Sequence, residues 1–143
     1  MKAYVLDASV AAKWFLPETH ETLKEQALKL FEDYAAGDVR LLVPDLFWPE
    51  IGNIFWKASR VGRISAESAT KAVEALMARE IPTLPSLPLL RDAFMIALAF
   101  RRSVYDSIYV ALAIASNRML VTADERLANA VAAHFPVRWL GAL

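Results

Sequence analysis

Four carboxylates interrupt apolar stretches of this chain. Asp7 follows Ala3-Tyr4-Val5-Leu6, Asp124 follows Met119-Leu120-Val121-Thr122-Ala123, and Glu50 and Asp106 open segments rich in Ile, Phe, Leu and Ala. A charge in such surroundings is costly unless it stays hydrated, meets a partner or binds a cation. Crowded carboxylates repel one another, so they either take up protons or recruit a hard cation. With oxygen donors alone, the cation expected is Mg²⁺ or Mn²⁺. Such a centre suits phosphodiester hydrolysis: one ion makes hydroxide available from bound water, and a second, if present, steadies the leaving oxygen.

Smaller polar residues accompany these acids. Ser9 and Thr122 each stand two positions from an aspartate, placed to hydrogen-bond it or a bound water. Asn53 and Lys57 follow Glu50 by three and seven residues, a polar stripe on one helix face. Lys13, Lys57 and Arg126, with Arg60, Arg63, Arg101 and Arg102, are candidate phosphate contacts or ordinary solvated side chains. Each acid also has a plain structural reading. Asp7 and Asp124 could be helix N-caps, Ser103-x-x-Asp106 resembles a capping box, and Glu50 could complement a helix dipole.

Composition narrows the field. The chain has 143 residues, room for one domain with its own core, and no cysteine, which excludes disulfides and thiolate metal sites. His20 and His134 lie away from the acidic motifs and read as surface or helix-end residues without a ligand role. No Gly-x-Ser-x-Gly elbow supports serine hydrolysis. The apolar share is 57%, but Ala93–Phe100 and Ile108–Ala115 fall far short of the ~20 residues of a membrane span. Asp7 breaks the first apolar run too early for a signal peptide. A cytoplasmic protein, with surplus apolar surface buried against another chain, is the expectation. Net charge is zero, yet if four of the 16 acids gather in one site, 12 remain against 16 Lys and Arg. The remaining surface is then basic, which suits a polyanionic substrate.

The elements that must position the acids follow from periodicity and stop signals. Strands are expected at Ala3–Leu6, Arg40–Val43, Met119–Thr122 and Val137–Leu140, with at most a short edge strand in the proline-rich Ile81–Pro88. Helices are expected at Ala8–Phe15, from about Glu21 to Ala36, from Pro49 to the stop at Gly62, and from Ser65 to about Arg79. Others are expected at Leu89–Arg101, Tyr105–Ser116 and Glu125–Ala133. Tyr105–Ser116 is apolar almost all round and should be the most buried. Trp14 and Trp56 suit an interface, while Phe55 belongs to a core stripe. Short apolar strands alternating with helices indicate a three-layer α/β/α sandwich on a short central parallel sheet. In such sheets the site lies at the carboxyl ends of the strands, where Asp7 and Asp124 stand.

The segments Val5-Leu6-Asp7-Ala8-Ser9-Val10, Pro49-Glu50-Ile51-Gly52-Asn53, Tyr105-Asp106-Ser107-Ile108-Tyr109-Val110-Ala111-Leu112-Ala113 and Leu120-Val121-Thr122-Ala123-Asp124-Glu125-Arg126 resemble the PIN-domain family. More narrowly, the chain is similar to VapC-type toxins of type II toxin–antitoxin pairs, in order and spacing over essentially its whole length. The resemblance implies a single PIN domain over residues 1–143 and a Mg²⁺- or Mn²⁺-dependent endoribonuclease. Asp7, Glu50, Asp106 and Asp124 would be the metal-site acids, supported by Ser9, Asn53 and Thr122. It also implies a homodimer silenced by a VapB-type antitoxin lying across an apolar groove. Leu127 departs from the family, where an aromatic residue is common. Two alternatives remain open. One is a haloacid dehalogenase-like phosphohydrolase with Asp7 as nucleophile, although Ser9 stands where a second aspartate is wanted. The other is an RNA- or protein-binding PIN module without turnover.

Overall fold

The computed structural model describes residues 1–17, 19 and 21–143. The strands are β1 (Lys2–Leu6), β2 (Val39–Pro44), β3 (Thr83–Leu84), β4 (Met119–Thr122) and β5 (Val137–Trp139), all parallel in the order β3-β2-β1-β4-β5. The helices are α1 (Ala8–Lys13), α2 (Lys24–Ala35), α3 (Phe47–Arg60), α4 (Ala66–Met77), α5 (Leu90–Phe100), α6 (Val104–Ser116) and α7 (Glu125–Val131). The chain moves outward from β1 to β3, then crosses back to β4 on the other side of β1. With right-handed crossovers, helices after β1 and β2 pack on one face and those after β3 and β4 on the other. The result is the expected sandwich. Loops leaving β1 and β4 diverge to opposite faces, opening a crevice at the carboxyl ends of these neighbouring strands.

The core explains why these segments take these forms. Val5, Leu6, Leu41, Val43, Leu120 and Val121 are buried on strands short enough to be covered on both faces. In α6 every residue from Ser107 to Ala113 is buried, as its all-round apolar pattern requires. Pro49 sits in the first turn of α3, where its missing N–H is not needed. The proline-rich segment yields only the two-residue edge strand β3.

Two expectations need correction. The second helix begins at Lys24, after Leu23 in a left-handed conformation (φ 58°), so Glu21 lies outside it. Trp14 is buried: its indole N–H donates to the Ala27 carbonyl at 2.8 Å and its ring lies 4.9 Å from that of Phe31. A buried indole needs an acceptor, and α2 supplies one. Trp56, by contrast, is 59% exposed, and Phe55 is in the core. His134 is exposed and packs beside Phe100, while His20 lies outside the described residues. Among the described residues, no helix is long and apolar enough to cross a membrane.

Candidate metal centre

Register alone makes the first pair. Val5 lies opposite Leu120 and Leu6 opposite Val121. The Asp7 N–H extends that ladder to the Val121 carbonyl at 3.1 Å. Asp7 therefore stands level with Thr122, whose buried hydroxyl donates to Asp7 Oδ2 at 2.7 Å. The same hydroxyl oxygen accepts from the Asp124 N–H at 3.1 Å, and Ser9 Oγ accepts from the Ala123 N–H at 3.1 Å. Ser9 and Thr122 thus lace the two strand ends together. Asp7 and Asp124 also cap their helices: Asp7 Oδ1 accepts from Ser9 N–H at 3.4 Å and Asp124 Oδ1 from Leu127 N–H at 3.1 Å. Capping engages one oxygen of each carboxylate and keeps both acids at the strand ends.

Glu50, in the first turn of α3, accepts a hydrogen bond at Oε1 from the Tyr109 hydroxyl of α6 at 2.6 Å. Tyr109 is buried in the apolar core and carries no sequence signal of a site role, because it reads as one more ring in an apolar helix. Asp106 lies three residues earlier, in the first turn of α6. Its N–H donates to the Ser103 hydroxyl at 3.0 Å, which is the expected cap.

The four acids share one electrostatic neighbourhood. Burial pushes Asp7 up to about 6, with Glu50 and Asp106 adding to the rise against the Thr122 hydrogen bond. Burial also raises Glu50, opposed by the Tyr109 bond and reinforced by Asp106. Asp106 is raised by burial and then by Asp124, against the Ser103 hydroxyl and Arg102. Burial and the nearby Asp7 and Glu50 push the Tyr109 phenol up as well, so it remains a proton donor. As the side chains stand, no three Asp, Glu or His among the described residues form a group that would hold one ion. The donor chemistry nonetheless suits a hard divalent cation: oxygen only, with Asp7, Glu50 and Asp106 each raised by burial and then by a neighbouring acid, and Asp7 and Glu50 hydrogen-bonded through one oxygen to neutral hydroxyls.

The other residues named from sequence divide into two groups. Asn53, Lys57 and Arg126 are exposed, on α3 and α7. Lys13 is buried and ion-paired with Glu21 Oε1 at 3.0 Å, while Arg63 binds Glu21 Oε2. These three border a shallow cleft of about 330 Å³ shared with Ser9, Ile54 and Asp124. A larger groove of about 1050 Å³ runs along α2, lined by Lys24, Glu25, Lys29 and Glu32, and contains none of the four acids. Size is a poor guide here. Charge chemistry points to the strand ends.

A parallel sheet in this order, with acids at the ends of its central strands, matches a known family: the PIN-domain model covers residues 4–132, and the chain belongs to the PIN-domain family. It is homologous to VapC-type toxins. Ribonuclease VapC3 of Pyrobaculum aerophilum is 31% identical over 127 residues, covering 87% of this chain and 92% of that protein. A crystal structure from the same organism superposes with a TM-score of 0.66 at 22% identity, over 98% of this chain and 85% of the other. The Mycobacterium tuberculosis toxin VapC20, described as cleaving the sarcin-ricin loop, superposes at 0.64 with 14% identity, over 92% and 95%.

Proposed function

We propose that this chain is a Mg²⁺- or Mn²⁺-dependent endoribonuclease, a single PIN domain acting in the cytoplasm as the toxin of a VapBC-type pair. The observation that carries this reading is that acids from distant segments meet at the strand ends, with Glu50 and Asp106 close enough to act on Asp7 and Asp124 close enough to act on Asp106, in a relative of a named ribonuclease. Asp7, Glu50, Asp106 and Asp124 would hold the ion. When bound, it supplies Lewis acidity that lowers the proton affinity of water and neutralises charge on the scissile phosphate. Thr122 and Ser9 fix the strand-end acids, and Asn53 flanks Glu50. Exposed Lys57 and Arg126 steer the polyanion and neutralise phosphates away from the cut.

Apolar surface supports the partners. Leu90, Phe94 and Leu98 form an exposed stripe along α5, with Met95 beside it, suited to pairing with a second copy. Trp56 on α3, with Val61 and Met77 also exposed, suits an antitoxin segment. Solved relatives include a Klebsiella pneumoniae toxin–antitoxin complex, which favours such a partner.

The test is cleavage of structured RNA with Mg²⁺ or Mn²⁺, comparing the parent with Asp7→Asn and Asp106→Asn. Cutting should fall at least ~100-fold in both, with circular dichroism unchanged. Variants that cut as fast as the parent would remove the assigned centre. Expression of the parent should arrest growth, relieved by a small antitoxin encoded beside it.

A further inference from the structure

Two of the acids are held in a similar manner, each by a hydroxyl from a different element. Thr122 donates a neutral hydroxyl to one oxygen of Asp7 at 2.7 Å, and Tyr109 donates a neutral hydroxyl to one oxygen of Glu50 at 2.6 Å. Neither donor cancels the charge of the carboxylate. Lys13 and Arg63 do cancel that of Glu21. A neutral donor leaves an oriented anion, which is what a cation site requires.

Glu50 needs such a restraint more than Asp7 does. Its longer side chain has more rotamer freedom, and it is only half-buried at the start of α3. Tyr109 is suited to supply the restraint. Its ring is 1% exposed, two torsions place its oxygen, and α6 packs against β1, β2 and β4. A buried phenol needs some acceptor, and a backbone carbonyl would serve. Here the acceptor is instead a carboxylate from another helix, 59 residues away in sequence.

We propose that Tyr109 is a positioning residue for the metal centre: its buried hydroxyl fixes Glu50 through Oε1 and leaves Oε2 as the ligand oxygen. This rests on the metal reading above, and the experiment separates the two. Metal-free parent and Tyr109→Phe are titrated with Mn²⁺ alone, the free ion being followed by electron paramagnetic resonance. The phenylalanine variant keeps the ring and loses only the hydroxyl, so Mn²⁺ affinity should weaken by about 10- to 100-fold. In a Glu50→Gln background the same change should alter affinity by less than about 2-fold, because the bond acts through Glu50. Unchanged Mn²⁺ affinity in Tyr109→Phe, or an equal loss in both backgrounds, overturns this inference alone. A parent that binds no Mn²⁺ overturns the metal reading with it. Should Tyr109→Phe fold poorly, the parent answers the question. Mn²⁺ should perturb the ultraviolet band of a buried tyrosine, and Glu50→Gln should abolish that perturbation. A tyrosine spectrum indifferent to Mn²⁺ overturns the inference.

Discussion

Asp7 and Glu21 are both largely hidden carboxylates close to the same cleft, and they titrate in opposite directions. Asp7 is 8% exposed, receives only neutral hydrogen bonds and is pushed up to about 6, first by burial. Burial would raise Glu21 too, but hydrogen bonds from Arg63 and Lys13, with their charges, hold it below its ordinary value. The difference shows what marks a site. A buried acid that has been given its cations is part of the scaffold, whereas one surrounded by further acids is kept in an unfavourable state that a ligand could relieve.

The largest effect expected from this contrast is a gain of stability on removing the Asp7 charge. Its folded-state affinity for protons exceeds that of the unfolded chain, so folding takes up a proton between pH 3.8 and about 6. Below that window Asp7 is neutral in both states and there is no penalty. As pH rises through the window a penalty accumulates, to about 3 kcal/mol above it. Asp7→Asn should therefore stabilise the metal-free protein by up to about 3 kcal/mol at pH 8 and leave it nearly unchanged below pH 3.8. Urea unfolding in a chelator at both pH values measures this. Mn²⁺ should then raise the stability of the parent and not that of the variant. A variant no more stable than the parent at pH 8 would mean that the Asp7 carboxylate is better solvated than its burial implies.

Glu21→Gln should act with the opposite sign. Lys13 would keep its buried position and lose its counter-charge, lowering stability at neutral pH by roughly 2 kcal/mol, less than for a fully enclosed pair because Arg63 is partly open to solvent. Since the Glu21 affinity is depressed, its contribution is fully present above the ordinary carboxylate value of 4.5 and fades as pH falls through its lower folded value. Parent and variant should therefore converge in acid. A loss that persisted unchanged at low pH would assign Glu21 a packing role instead.

How much of this could be read from sequence depended on range. Strand and helix identities came from local apolar periodicity, and β1, α6 and β4 lie where that pattern puts them. The four acids stood out because each broke an apolar run. Cap signals were also local, so Asp7, Asp124 and Ser103 do cap helices. What stayed hidden depends on contacts between distant segments. Glu21 looked like the opening of a helix, yet its partners are Lys13 and Arg63, and the backbone turns left-handed at Leu23 before the helix begins. Trp14 looked too large to hide until α2 offered the Ala27 carbonyl. Tyr109 carried no signal, because a hydroxyl within an apolar stripe becomes informative only when Glu50 is seen across from it.

The smallest effects concern the exposed cations, and they sharpen the same contrast from the basic side. Lys57 and Arg126 are exposed and make no ion pair among the described residues, whereas the Lys13 ammonium is already engaged with Glu21. RNA binding by an Asp7→Asn protein, which should not cut, isolates affinity from turnover. Each of Lys57→Ala and Arg126→Ala should weaken binding a few-fold at low salt and reduce the slope of log affinity against log salt by about 0.7, the value for one single-strand phosphate contact. Lys13→Ala should leave that slope unchanged and lower stability, because it removes a partner from Glu21 rather than from RNA. A slope that fell with Lys13→Ala as it does with Lys57→Ala would show the Lys13–Glu21 pair opening to admit a phosphate. The distinction between scaffold charge and site charge would then break at that residue.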